Sequence, residues 1–208
     1  MKLVRLGGLL LGGCVVVFAT NPDCLACHTK LRDRIESAVS RHRPLCTDCH
    51  EAHAGQGKPK LKQTAGALCT SCHGDIAEGK KFVHGALRAP CIVCHDPHAP
   101  DFPHILRAAT NELCMECHEG GFGPGAALTL FKGAVKVPRQ LLADIKPLAV
   151  RSGHPVPLHP VFAPADVGQR EINCLSCHTP HASEESKDLL VSGASGRKGL
   201  CGKCHSPP

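Results

Sequence analysis

Fourteen of the fifteen cysteines in this 208-residue chain lie in seven copies of one five-residue pattern, Cys-x-x-Cys-His. The copies comprise Cys24, Cys27 and His28; Cys46, Cys49 and His50; Cys69, Cys72 and His73; Cys91, Cys94 and His95; Cys114, Cys117 and His118; Cys174, Cys177 and His178; and Cys201, Cys204 and His205. Two cysteines separated by two residues can bond the two vinyl-derived carbons on one edge of a porphyrin. The histidine that follows is then carried beneath the iron. The pattern predicts seven covalently attached haem c groups, with the seven motif histidines as proximal ligands. Rival readings explain less. Tetrahedral zinc sites do not require a histidine after every cysteine pair. A redox dithiol would sit in a βαβ pattern, which is missing here. Structural disulfides have no need of a regular unit.

Composition points the same way. The chain has no Trp or Tyr and only six Phe, against 21 Gly and 17 Pro. So little aromatic surface cannot build an ordinary core, and so many breakers keep helices short. The expected fold is mostly irregular with a few short α-helices, the haems forming the core. Haem binding and folding should then be one event. The formal charge of +6 would ordinarily suggest nucleic acid or acidic partners. Two propionates on each haem offset it, so no nucleic-acid partner is expected.

Residues 1–19 read as an export signal: Lys2 and Arg5, then an apolar run from Leu6 to Phe18, with Val17-Phe18-Ala19 as a cleavage site. Leu11-Gly12-Gly13-Cys14 also resembles a lipoprotein box, and an uncleaved anchor is a third option. Membrane attachment is expected only if Cys14 is lipidated or the N-terminus is retained. All three options export the protein to the periplasm or the cell exterior.

The first cysteines advance in steps of 22, 23, 22, 23, 60 and 27 residues, which suggests a paired unit of about 45. Grouped from the first motif, the pairs occupy residues 20–60, 61–110 and 111–190, the last with an insertion at about 119–156. The seventh motif stands alone in 191–208. Within the insertion, Leu141, Leu142 and Ile145 make a short helical pattern stopped near Pro147, and the bland reading is a loop over a haem face. Leu31, Ile35, Ala38 and His42 share a helical face, so Lys30–Arg41 is an expected helix. Ile76–Leu87 is a weaker one, interrupted by Gly79 and Gly85, and no alternating strand pattern stands out.

Distal ligands follow by elimination. Met1 lies in the signal and Met115 inside its own cysteine loop, so thioether ligation is excluded. The non-motif histidines are His42, His53, His84, His98, His104, His154, His159 and His181. Seven of these eight would complete bis-histidine ligation, with His104 the spare. His53, His98 and His181 each follow a proximal histidine by three residues. Such a side chain cannot reach the far face of its own haem and must ligate a neighbour.

The segments around His42 to His53 and His84 to His98, with His-x-Pro-His at His95–His98 and His178–His181, resemble the doubled Cys-x-x-Cys-His family of multihaem cytochromes, related to class III cytochromes c. The resemblance covers residues 20–208. It implies low-potential bis-histidine haems that pass electrons between redox proteins in anaerobic or extracellular respiration. The expected partners are other multihaem cytochromes, a quinol-oxidising membrane cytochrome or an outer-membrane conduit. Two alternatives stand beside free electron transfer. One is a multihaem reductase with an open iron, although no motif departs from histidine. The other is a subunit of an outer-membrane conduit or haem filament.

Overall fold

The computed structural model describes residues 21–39, 42–52, 59–98, 101–120, 125–142, 145–148, 153–163, 171–191, 193 and 196–205. The signal segment, Cys14 and His53 lie outside the described residues. The chain is mostly irregular, with six short α-helices and two two-stranded antiparallel sheets among the described residues.

The helices are α1 (Asn21–Cys27), α2 (Thr29–Ser37), α3 (Cys46–Cys49), α4 (Ala65–His73), α5 (Thr110–His118) and α6 (Gly196–Cys201). Thr64 starts α4 by accepting from the Ala67 N–H, and Gly74 ends it in a left-handed conformation open to glycine, φ +67°. The expected helix at Lys30–Arg41 is α2, which stops at Ser37. There the Ser37 hydroxyl donates back to the carbonyls of Asp33 and Arg34, and Ala38 turns extended. Leu31 and Ile35 are half-buried as expected of the inward face.

The weaker helix expected over Ile76–Leu87 does not form. Gly79 takes φ +69° in a tight turn, Phe82–Val83 becomes strand β1, and Gly85–Arg88 is a single 3-10 turn. Strand β1 pairs with Ala182–Ser183, strand β4, so segments 99 residues apart run antiparallel. His84 N–H donates to the His181 carbonyl beside this pair at 2.8 Å.

The insertion also departs from expectation. It forms a hairpin of β2 (Ala127–Leu130) and β3 (Val135–Pro138), closed by a turn in which Phe131 and Lys132 are both left-handed at φ 53°. Glu116 secures the turn by accepting from the Phe131 N–H at 2.9 Å. A 3-10 turn, Arg139–Leu142, replaces the expected helical stretch. Leu128, Leu130, Val137 and Leu142 point inward and pack against Ala89 and Val93. Leu130 and Val137 are 2% and 1% exposed, the only large side chains so fully enclosed among the described residues. The protein's apolar core is therefore a single small cluster built largely by the insertion. Elsewhere large apolar side chains stand open, Leu158 at 94% and Phe162 at 62%. Among the described residues no helix is long and apolar enough to cross a membrane.

Candidate metal centres

The seven motifs fall into two structural kinds that alternate along the chain. The first, third, fifth and seventh sit on or at the end of α1, α4, α5 and α6. The second is on α3, and the fourth and sixth are on 3-10 turns at Cys91–Val93 and Cys174–Ser176. Each of these three is fixed at its start: the Leu45 N–H donates to Asp48, Pro90 precedes Cys91, and Asn173 caps Cys174–Ser176. The following histidine then enters a β-bridge, His50 to Leu61, His95 to Leu106 and His178 to Leu190.

One turn of helix explains the spacing in both kinds. Positions i, i+3 and i+4 share a helical face, so both sulfurs and the imidazole project to one side. The closing bond is present in His28 N–H to Cys24 carbonyl at 3.1 Å, His95 to Cys91 at 3.0 Å and His205 to Cys201 at 2.8 Å. All fourteen motif cysteines are free of disulfides.

The sulfurs connect the motifs in sequence order. Cys46 lies beside Cys24, Cys69 beside Cys91, and Cys114 beside Cys174, in each case first cysteine to first cysteine. Cys49 lies within electrostatic reach of Cys72, Cys117 of Cys94, and Cys177 of Cys204, all second cysteines. First-cysteine and second-cysteine junctions thus alternate from motif one to motif seven. Burial raises the thiols of Cys49, Cys94 and Cys117, the last to about 11.

The imidazoles come in facing pairs. Ring centroids lie 6.3 Å apart for His42 and His73, 5.8 Å for His50 and His98, and 6.1 Å for His84 and His118. The values are 6.0 Å for His95 and His181, 6.0 Å for His154 and His178, and 6.4 Å for His159 and His205. Ordinary aromatic contacts span about 4.5–7 Å, so distance alone does not decide their meaning. Their composition does: every pair joins one motif histidine to one non-motif histidine. A metal bonded at about 2.0–2.1 Å by a ring nitrogen on each side separates two ring centres by roughly 6.4 Å. No group of three or more potential metal ligands converges among the described residues. His28 is the motif histidine with no facing ring among the described residues, and His53, expected as a ligand, lies outside them.

Backbone carbonyls fix the ring tautomers. The Nδ1 atoms of His84, His95, His118, His159 and His178 lie 2.8–2.9 Å from the carbonyls of Pro180, His104, Lys146, Pro160 and Asp188. A carbonyl only accepts, so each Nδ1 carries the proton and each Nε2 presents its lone pair. Burial pushes the imidazoles of His84, His95, His98, His154 and His181 down, which keeps them neutral as ligands must be. His42 and His50 have buried Nδ1 atoms without a hydrogen-bond partner. His104 faces no other ring in the described structure; its contribution is the carbonyl that orients His95. Beside it, burial opposes ionisation of Asp96, but the His98 N–H and the Arg34 and Arg107 guanidinium groups outweigh this and hold its carboxyl below the usual range. The Arg34 bond, 3.0 Å long, ties α2 to the fourth motif.

All seven motifs and the six facing histidines line one continuous cavity of about 3590 Å³. That is several times an ordinary small-molecule site of roughly 300–1,000 Å³. The open cavity, the sulfurs on its wall and the neutral, oriented imidazoles fit covalently bound haem.

The doubled CXXCH motif model matches the chain over residues 38–78, 84–122 and 163–208, more than half its length. Each match runs from ahead of an even-numbered motif through the odd-numbered one that follows. Its units pair motifs two and three, four and five, and six and seven, one motif out of phase with the grouping expected from the spacing. In this phase the insertion falls between units, not within one. No curated protein matches the chain. Paired Cys-x-x-Cys-His sites that carry covalent haem c, on a mostly irregular scaffold with few helices, place the chain in the doubled CXXCH motif family of multihaem c-type cytochromes, proteins of electron transfer.

Proposed function

We propose that the protein carries electrons along seven haems arranged in the order of their motifs, each iron held between two histidines. The observation that carries this reading is the set of six opposed imidazole pairs, each of one motif and one non-motif histidine. Haem iron supplies the chemistry, gaining and releasing one electron without changing its ligands. The polypeptide sets spacing, ligation and exposure. Two axial histidines leave no site for substrate, which argues for a carrier over an enzyme. The alternating sulfur junctions support a chain in sequence order. Cys201, Cys204 and His205 are all exposed, so the seventh site is a natural port for a redox partner protein.

The amino-terminal signal pattern supports export, and covalent haem attachment resembles what bacteria perform outside the cytoplasmic membrane. A periplasmic or extracellular role in anaerobic respiration follows, with other multihaem cytochromes, a quinol-oxidising membrane cytochrome or an outer-membrane conduit as partners. The test is spectroscopic. Pyridine haemochrome counting should return seven haems per chain, the ferric protein should be wholly low-spin, and the reduced protein should not bind carbon monoxide. Four or five haems would break the proposal. Carbon monoxide binding would mark an open iron and move the reading towards a reductase.

A further inference from the structure

The facing pairs obey a rule that the repeats impose. Within each doubled unit, the histidine upstream faces the unit's own second motif: His42 faces His73, His84 faces His118, and His159 faces His205. The histidine three residues past a first motif instead faces the first motif of the preceding unit. His98 faces His50, and His181 faces His95. Each unit thus completes the one before it. His178 departs from this rule, because the ring opposite it does not come from a histidine three residues past a first motif.

The structure fills that position from the insertion. His154 stands opposite His178 at 6.0 Å, with the rings inclined by 23°, close to the 21° of His50 and His98. The approach is built by the insertion and the tight loop that follows it. The Lys146 carbonyl accepts a hydrogen bond from His118 Nδ1–H at 2.8 Å, and the Leu148 N–H donates to the His118 carbonyl at 2.7 Å, which anchors the insertion to the fifth motif. The chain then folds over between Gly153 and His159, with the His154 N–H donating to the His159 carbonyl at 3.3 Å. A Cβ at Gly153 would overlap Leu158 N and lie 2.7 Å from His159 N and Val156 O, so this loop needs glycine there. Two histidines five residues apart are thereby sent to two different motifs.

We infer that the segment between the fifth and sixth motifs does the work of a neighbouring unit: it delivers His154 as the distal ligand of the sixth haem. The inference rests on the bis-histidine reading above, and its test separates the two. In the holoprotein, His154→Ala should raise the number of high-spin, carbon monoxide-binding irons by one relative to wild type. Haem content should stay unchanged, and added imidazole should restore the low-spin state. No rise would overturn the inference. The wild-type count by itself tests bis-histidine ligation, because any open iron there counts against that reading whatever the variant does. If His154→Ala does not accumulate, His154→Met supplies a second readout. It should introduce one histidine–methionine haem, seen by its thioether-to-iron charge-transfer band, and the lack of that band overturns the inference.

Discussion

The ring of His159 meets that of His205 at 76°, whereas the other five pairs are inclined by 13–32°. Axial ligands are a principal lever of a protein on haem iron. Parallel imidazole planes split the two iron orbitals of π symmetry, while crossed planes leave them nearly degenerate and give a more anisotropic ferric resonance. One strongly anisotropic low-spin signal is therefore expected, and His159→Ala should remove it. Its persistence in that variant would assign the crossed pair elsewhere. Residue counting names candidate histidines but says nothing of which rings face each other. Elimination names eight non-motif histidines, yet which motif each faces depends on which units lie side by side. The carbonyls of His104, Lys146 and Asp188 that set the tautomers had no sequence signal at all, because any residue provides one.

At the scale of elements, the attachment turns were legible and the hairpin was not. Cys-x-x-Cys-His fixes one helical turn through its own chemistry, so the short helices follow from the motifs. Ala127–Leu130 and Val135–Pro138 alternate burial over only four residues each, too short a run for periodicity to stand out. The hairpin nonetheless supplies most of the apolar cluster. Leu130→Ala should cost about 2–5 kcal/mol, as for other fully enclosed leucines, read as a lowered denaturation midpoint. Haem content should be unaffected, because Leu130 is no part of an attachment turn. The weak helix of Ile76–Leu87 failed for a complementary reason. A cross-chain pairing with Ala182–Ser183, invisible in local sequence, claimed its Phe82–Val83 segment.

At the scale of the whole molecule, composition foretold a protein short of core. Only seven apolar side chains are buried among the described residues, and six of them form one cluster. The polypeptide alone has an isoelectric point near 8.6, and fourteen propionates would lower it. Isoelectric focusing of the holoprotein should place it well below that value; a match to the polypeptide figure would contradict full haem loading. The 45-residue period was visible in the sequence. Its phase was not, since equal steps of 22 and 23 residues can be grouped from either motif.

Were electrons to pass in motif order as proposed, the alternating sulfur neighbours would also determine how damage spreads. In a line of sites, throughput would be governed by the slowest junction and not by the average. Loss of the seventh motif would merely shorten the line. Loss of the fourth, whose sulfurs lie beside Cys69 on one side and Cys117 on the other, would strike the middle of the line.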